Sequence, residues 1–171
     1  MNNTKKICFL IFFLIFIIFL SGCGFFNLYD FILPDDIEFL QLVQSLKTPE
    51  EICRYMRDNF ECEYFPFKTL SPYELYLTKK GDCDIFATFA TYIANYHGYE
   101  TYQIKIKFRD TFISHCLAVY VENNKGTFSS NLDYFSFPND TFSDIVEYFT
   151  NNYESYEVYD YQNNLIEKVQ K

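Results

Sequence analysis

The chain has no tryptophan, only five glycines and five prolines among 171 residues, and fewer cations than anions, 14 Lys and Arg against 23 Asp and Glu. Each shortage excludes something. So little Gly and Pro rules out a collagen-like or low-complexity linker chain. A net charge of −9 argues against nucleic acid as a partner, because that binding rests on basic side chains that displace counterions from phosphates. Histidine is scarce as well, with His97 and His115 the two in the chain. The six cysteines contain no CxxC pair, and Cys83, His115 and Cys116 without a fourth ligand are a weak case for zinc. Neither a metal nor a cofactor is expected. What is plentiful is apolar and aromatic surface, 49% and 22% of residues, with 21 Phe and 16 Tyr. That suffices for one domain with a real core and excludes a disordered chain.

Residues 1–22 read as an export signal. Lys5 and Lys6 precede the unbroken apolar run Ile7 to Leu20, which has the length of a signal core and is short for a membrane span. The following Leu20-Ser21-Gly22-Cys23 resembles a bacterial lipobox. That resemblance implies cleavage before Cys23 and acylation of its sulfur and its new amine, which would tether the protein to a bacterial membrane, facing outside the cytoplasm. Removing residues 1–22 takes away two lysines and no acid, so the remainder is more acidic still. Residues 23–34 are then a short, aromatic-rich anchor and linker, and residues 35–171 the folded domain.

Export makes disulfides possible. A helix running through Cys53 and Cys62 would hold their Cα atoms roughly 13 Å apart, beyond disulfide reach. Cys53 and Cys116 read as small core residues.

Helix signals come first along the domain. Asp35 to Leu46 carries Ile37, Leu40, Val43 and Leu46 at helical spacing. Thr48-Pro49-Glu50-Glu51 and Ser71-Pro72-Tyr73-Glu74 are capping boxes with proline at the first helical position. The first should start a helix with Ile52, Tyr55, Met56 and Phe60 on one face. Gly81-Asp82-Cys83 then breaks the chain and opens a helix that runs to about His97, with Gly98 as its stop. Between Ile85 and Ala94 that helix is apolar nearly all round, so it should be buried.

After Gly98 the period changes to two. Tyr102, Ile104, Ile106 and Phe108 alternate with Gln103, Lys105 and Lys107. A second strand spans 113–122, with His115, Leu117, Val119 and Val121 on one face, and that face is expected to meet the buried helix. Asn123 to Gly126 is a turn, and 127–134 returns as a third strand. The tail after Phe142 is ambiguous: SDIVEYF suggests a helix, YESYEVYDY an edge strand and NLIEKVQK a final helix. Helices followed by a meander imply an α+β fold with an antiparallel sheet.

Cys83, His115 and Asp133 carry the candidate chemistry. A helix start stabilises a thiolate through its free N–H groups and macrodipole, although Asp82 and Asp84 oppose that effect here. If the turn is Asn123-Asn124-Lys125, Glu122 pairs with Gly126 and His115 falls opposite Asp133, within reach of its carboxylate. A carboxylate there fixes the imidazole tautomer and leaves the other nitrogen for the thiol. A loop one residue different would put Asp133 on the wrong face.

These features together resemble the transglutaminase-like superfamily, a papain-like group of cysteine enzymes. The likeness runs from Thr48 to about Phe135 and rests on Gly81-Asp82-Cys83 followed by Phe86-Ala87, on His115 at a strand start, and on Leu132-Asp133. Two positions depart from the pattern: Leu117 stands where an aromatic is usual, and Tyr134 where proline is common. The resemblance implies Cys83 as nucleophile, His115 as general base and acid, and Asp133 as orienting carboxylate. It implies a thiol acyl-transfer enzyme acting on a peptide or protein substrate through a thioester, either a cysteine peptidase, where water resolves the thioester, or a transglutaminase-like acyltransferase, where a lysine amine does. With no sign of a dedicated amine site, hydrolysis of peptide or isopeptide bonds is expected, and the location suggests cell-wall peptides. Two alternatives stand beside it: an inactive binding module on the same fold, and a cell-wall endopeptidase of the NlpC/P60 type, whose usual Ser-Gly after the cysteine is replaced by Asp84-Ile85.

Overall fold

A computed structural model describes residues 34–65 and 68–171. The expected signal segment and Cys23 lie outside these residues, as does the linker except for Pro34. Among the described residues no helix is long and apolar enough to cross a membrane.

The fold is α+β. Helices α1 (Ile37–Ser45), α2 (Pro49–Asn59), α3 (Pro72–Thr78) and α4 (Cys83–Tyr96) come first, and α5 (Phe142–Phe149) lies between later strands. The local signals at their ends are realised. Thr48 and Ser71 each accept from the backbone N–H three residues on, while Glu51 and Glu74 reach back to complete both capping boxes. Asp36 and Asp82 cap α1 and α4. Gly98 ends α4 at φ +85°, where a Cβ would be strained. The α1 stripe is rotated from its expected position: Phe39 and Val43 are buried and Ile37 is exposed, because Phe39 packs its ring against Tyr73 and Tyr76 of α3.

Strands β1 (Glu61–Cys62) and β2 (Lys80–Gly81) form a small parallel pair. The main sheet contains β3 (Glu100–Phe108), β4 (Ser114–Glu122), β5 (Lys125–Ser130), β6 (Asp133–Asn139), β7 (Tyr153–Asp160) and β8 (Leu165–Gln170). Its order is β6-β5-β4-β3-β7-β8, and every neighbouring pair is antiparallel. Three expectations need correction. The expected third strand is two, β5 and β6, joined by a turn at Asn131 and Leu132. The expected edge strand, β7, is internal, between β3 and β8. The expected final helix is β8, whose Leu165-to-Gln170 run gains a ladder with β7 that an isolated short helix could not match.

The sheet is covered on both faces, so Cys116 to Tyr120 of β4 are all buried. Cys116, Ala118 and Tyr120 join the core beneath α2 and α4, with Ile52, Met56, Phe86 and Phe89 among its members. Leu117 and Val119 join the opposite core with Ile104, Phe128, Ile145 and Val146, under α5. Gln103, one of the polar positions that alternate along β3, is buried against α4, where its amide donates to Thr88 Oγ1 (3.4 Å) and Thr91 Oγ1 (3.3 Å).

Candidate active site

Cys83 is the first residue of α4, and its placement follows from the residues before it. Gly81 is buried: a Cβ there would sit 2.9 Å from Ile85 Cγ2, 3.1 Å from Leu75 Cδ1 and 3.2 Å from Phe86 Cε1. Only glycine lets β2 approach the start of α4 so closely. Asp82 then ties two segments together, accepting from Ile85 N–H at 3.4 Å through Oδ1 and from Phe65 N–H at 3.2 Å through Oδ2. The Cys83 sulfur is thus carried at a helix start beside β4, half-buried, with the Cys116 backbone N–H acting on it.

Burial, followed by the charge of Asp84, pushes the Cys83 thiol up to about 11; the Cys116 N–H opposes this and Asp82 adds to it. Its sulfur lies 3.9 Å from Asp84 Oδ1. The helix terminus therefore does not outweigh desolvation and two flanking carboxylates, and the thiol is protonated at neutral pH. Burial also holds His115 below its ordinary value of 6.5, with the charge of Asp84 working the other way. The neutral imidazole is thus the form present at pH 7.

His115 is the second residue of β4. By alternation it shares the face of Leu117 and Val119, as expected, but that face meets α5 and not α4. Its ring stacks on Phe149, with centroids 5.1 Å apart and planes 8° from parallel, and Nε2 is 2.9 Å from Ser130 Oγ. The register explains the partner. The hairpin turn has two residues, Asn123 and Asn124, both at positive φ, and Glu122 pairs with Lys125. Leu117 therefore pairs with Ser130, which makes Ser130 a diagonal neighbour of His115, within reach of a long side chain. The expected Glu122–Gly126 pairing, which set Asp133 directly across from His115, is overturned.

Asp133 instead opens β6, paired with Ser130. Its carboxylate accepts from Arg57 at 3.1 Å, and the same guanidinium donates to Leu132 O at 3.3 Å. Both side chains of this ion pair are more than half exposed, so it contributes about 0–1 kcal/mol. Cys83, His115 and Asp133 thus sit near one end of the sheet, each with its own partner, and no hydrogen bond joins any two of them. Sequence reasoning missed Ser130, Phe149 and Arg57. An Asn-Asn dipeptide read as a two-residue turn, the commonest hairpin loop, would have pointed to Ser130.

The remaining thiols are simpler. Cys53 and Cys116 are buried, Cys62 is exposed in β1, and none of the described cysteines is in a disulfide. His97 caps α4, and its Nε2–H donates to Val43 O at 2.8 Å, tying α4 to α1. Among the described residues no group of His, Cys, Asp and Glu side chains is arranged to hold a metal ion.

No family model matches the chain, and no curated protein matches it. Among solved structures the chain is similar to Legionella pneumophila LapG in an EGTA-treated form, at 16% identity over 68% of each chain with a TM-score of 0.49.

Proposed function

We propose that this chain is a thiol acyl-transfer enzyme that hydrolyses peptide or isopeptide bonds through a thioester on Cys83. The observation that carries the reading is the placement of Cys83 at the start of buried α4, against the Cys116 N–H, one residue along the chain from His115. Thiol and imidazole are both neutral at rest. The Cys83 sulfur attacks the amide carbonyl while its proton passes to His115. N–H groups at the helix start receive the developing oxyanion. His115 then returns the proton to the departing amine, the C–N bond breaks, and water releases the acid from the thioester. The charge of Asp84 favours the transient imidazolium, and Asp133, paired with Arg57, lies behind Ser130. The substrate is a peptide or protein, and lipid on Cys23 holds the enzyme at the outer surface of the cytoplasmic membrane or beyond it, where cell-wall peptides are at hand.

The test is product analysis by mass spectrometry on the full chain, using a glutamine peptide and a lysine isopeptide, with and without an added amine. Hydrolysis that disappears in Cys83→Ala is expected. Turnover unchanged in that variant, or none with any substrate, overturns the reading. Metabolic labelling with palmitate, lost in Cys23→Ser, tests the anchor.

One observation favours a second reading, a binding module without turnover: His115 is engaged by Phe149 and Ser130, and Asp133 by Arg57. Absence of any Cys83 acyl adduct after incubation with an activated acyl donor would favour that module.

A further inference from the structure

We infer that Ser130 is the positioning residue of His115: its hydroxyl holds Nε2, Phe149 holds the ring plane, and Nδ1 is left as the nitrogen that receives a proton. The inference rests on the reading of His115 as general base and adds the residue that orients it. His115 is the one ring in the candidate site fixed in both direction and plane. Ser130 Oγ is 2.9 Å from Nε2, and the Phe149 ring lies parallel to the imidazole at 5.1 Å. Its cross-strand partner Ile106 is fully buried, so the backbone beneath the ring is fixed too.

The chemistry sets the direction of that hydrogen bond. An imidazole that alternates between neutral and protonated forms must keep its support in both. If Nε2–H donates to Ser130 Oγ, the bond survives protonation at Nδ1, because Nε2 carries its hydrogen throughout. If the hydroxyl donated to Nε2 instead, protonation there would break the contact. A serine oxygen that accepts from Nε2–H thus does the work usually given to a carboxylate. Asp133 stands one step behind, as the cross-strand partner of Ser130, with its carboxylate occupied by Arg57. Asp84, from α4, is the charged group that acts on the imidazole.

Two histidines make the experiment clean. The full chain, in detergent and with 15N-labelled histidine, gives two ring systems, and a His97→Gln variant identifies that of His115. At pH 7.5 the wild type should show a His115 Nε2–H proton protected from exchange with water, with Nδ1 unprotonated. Ser130→Ala should lose the protected proton, Ser130→Thr should restore it, and Asp133→Asn should retain it. With a peptide substrate, Ser130→Ala should lower kcat by about tenfold or more and leave KM within about twofold, with recovery in the threonine variant. A proton that survives in Ser130→Ala, or that vanishes in Asp133→Asn alone, overturns the assignment. If the wild type turns over no substrate, the acyl-transfer reading falls, and the spectrum still decides the hydrogen bond.

Discussion

Alkylation of Cys83 by iodoacetamide, followed over pH 6 to 10, separates a resting thiol from a preformed ion pair. Each time point is read on the Cys83 peptide by mass spectrometry, in a Cys62→Ser background because Cys62 is exposed. Burial and Asp84 push Cys83 from an ordinary 9.0 to about 11. Well below both values, that rise leaves about 100-fold fewer thiolates than an unperturbed thiol has. The more basic thiolate is also the better nucleophile. A Brønsted slope of about 0.4–0.5 returns roughly six- to tenfold. Cys83 should therefore react about 10- to 15-fold more slowly than a small free thiol at pH 8. Its rate should climb about tenfold per pH unit, without levelling by pH 9. Asp84→Asn removes the largest charge opposing the thiolate, so it should speed the reaction at every pH in that range. A rate already level below pH 7 would mean a thiolate stabilised by a His115 imidazolium, and would refute the neutral-pair account of this site.

Three further outcomes follow from packing and titration. Gly81→Ala should destabilise the protein by about 1–3 kcal/mol in urea unfolding, because the new Cβ meets the Ile85 side chain at 2.9 Å, with those of Leu75 and Phe86 close behind in a buried site. An unchanged midpoint would show that the start of α4 yields freely. Gln103→Leu should cost about 1–3 kcal/mol by stripping Thr88 and Thr91 of a buried donor; a neutral result would show that those hydroxyls need only their bonds to Asp84 O and Ala87 O. Burial keeps the folded His115 below 6.5, so the unfolded chain takes up that proton first as pH falls. Its contribution is complete above 6.5 and is lost as pH drops through the lower folded value. Thermal melts of His115→Gln should therefore show a weaker decline than wild type in that window; identical slopes would refute it.

The helical half of the molecule was readable because its signals are local. Thr48 with Glu51, Ser71 with Glu74, Asp82 before α4 and Gly98 after it each act within one turn, and each does in the structure what its residue type implies. The sheet was readable only in part, because alternation reports which side chains share a face and says nothing about what covers that face. Alternation puts His115, Leu117 and Val119 on one face, as the structure has them, but that face packs under α5 and not under α4. Their cover, α5, comes from a segment some twenty residues further along the chain, past two hairpins. Alternation is silent on the burial of Gln103 for the same reason, since that burial depends on two threonines of α4 that only the tertiary fold brings beneath it.

The one-residue difference between the expected and the observed turn carries the consequence for the site. A three-residue loop would align His115 with Asp133, whereas the two-residue Asn123-Asn124 turn brings Ser130 to the imidazole and leaves Asp133 to Arg57. The positive φ of both asparagines suits the right-handed twist of the flanking strands. The register is also locked by burial: slipping β5 by one residue would turn Phe128 out of the core under α5 and Ser129 out of its contact with Tyr120. Exposing a side chain as large as Phe128 would cost about 1.5–3 kcal/mol, more than the exposed Arg57–Asp133 pair can contribute. Core packing therefore decides which hydroxyl or carboxylate His115 meets, and any direct imidazole–carboxylate contact must come from side-chain movement of Asp133 away from Arg57, within a backbone frame that does not shift.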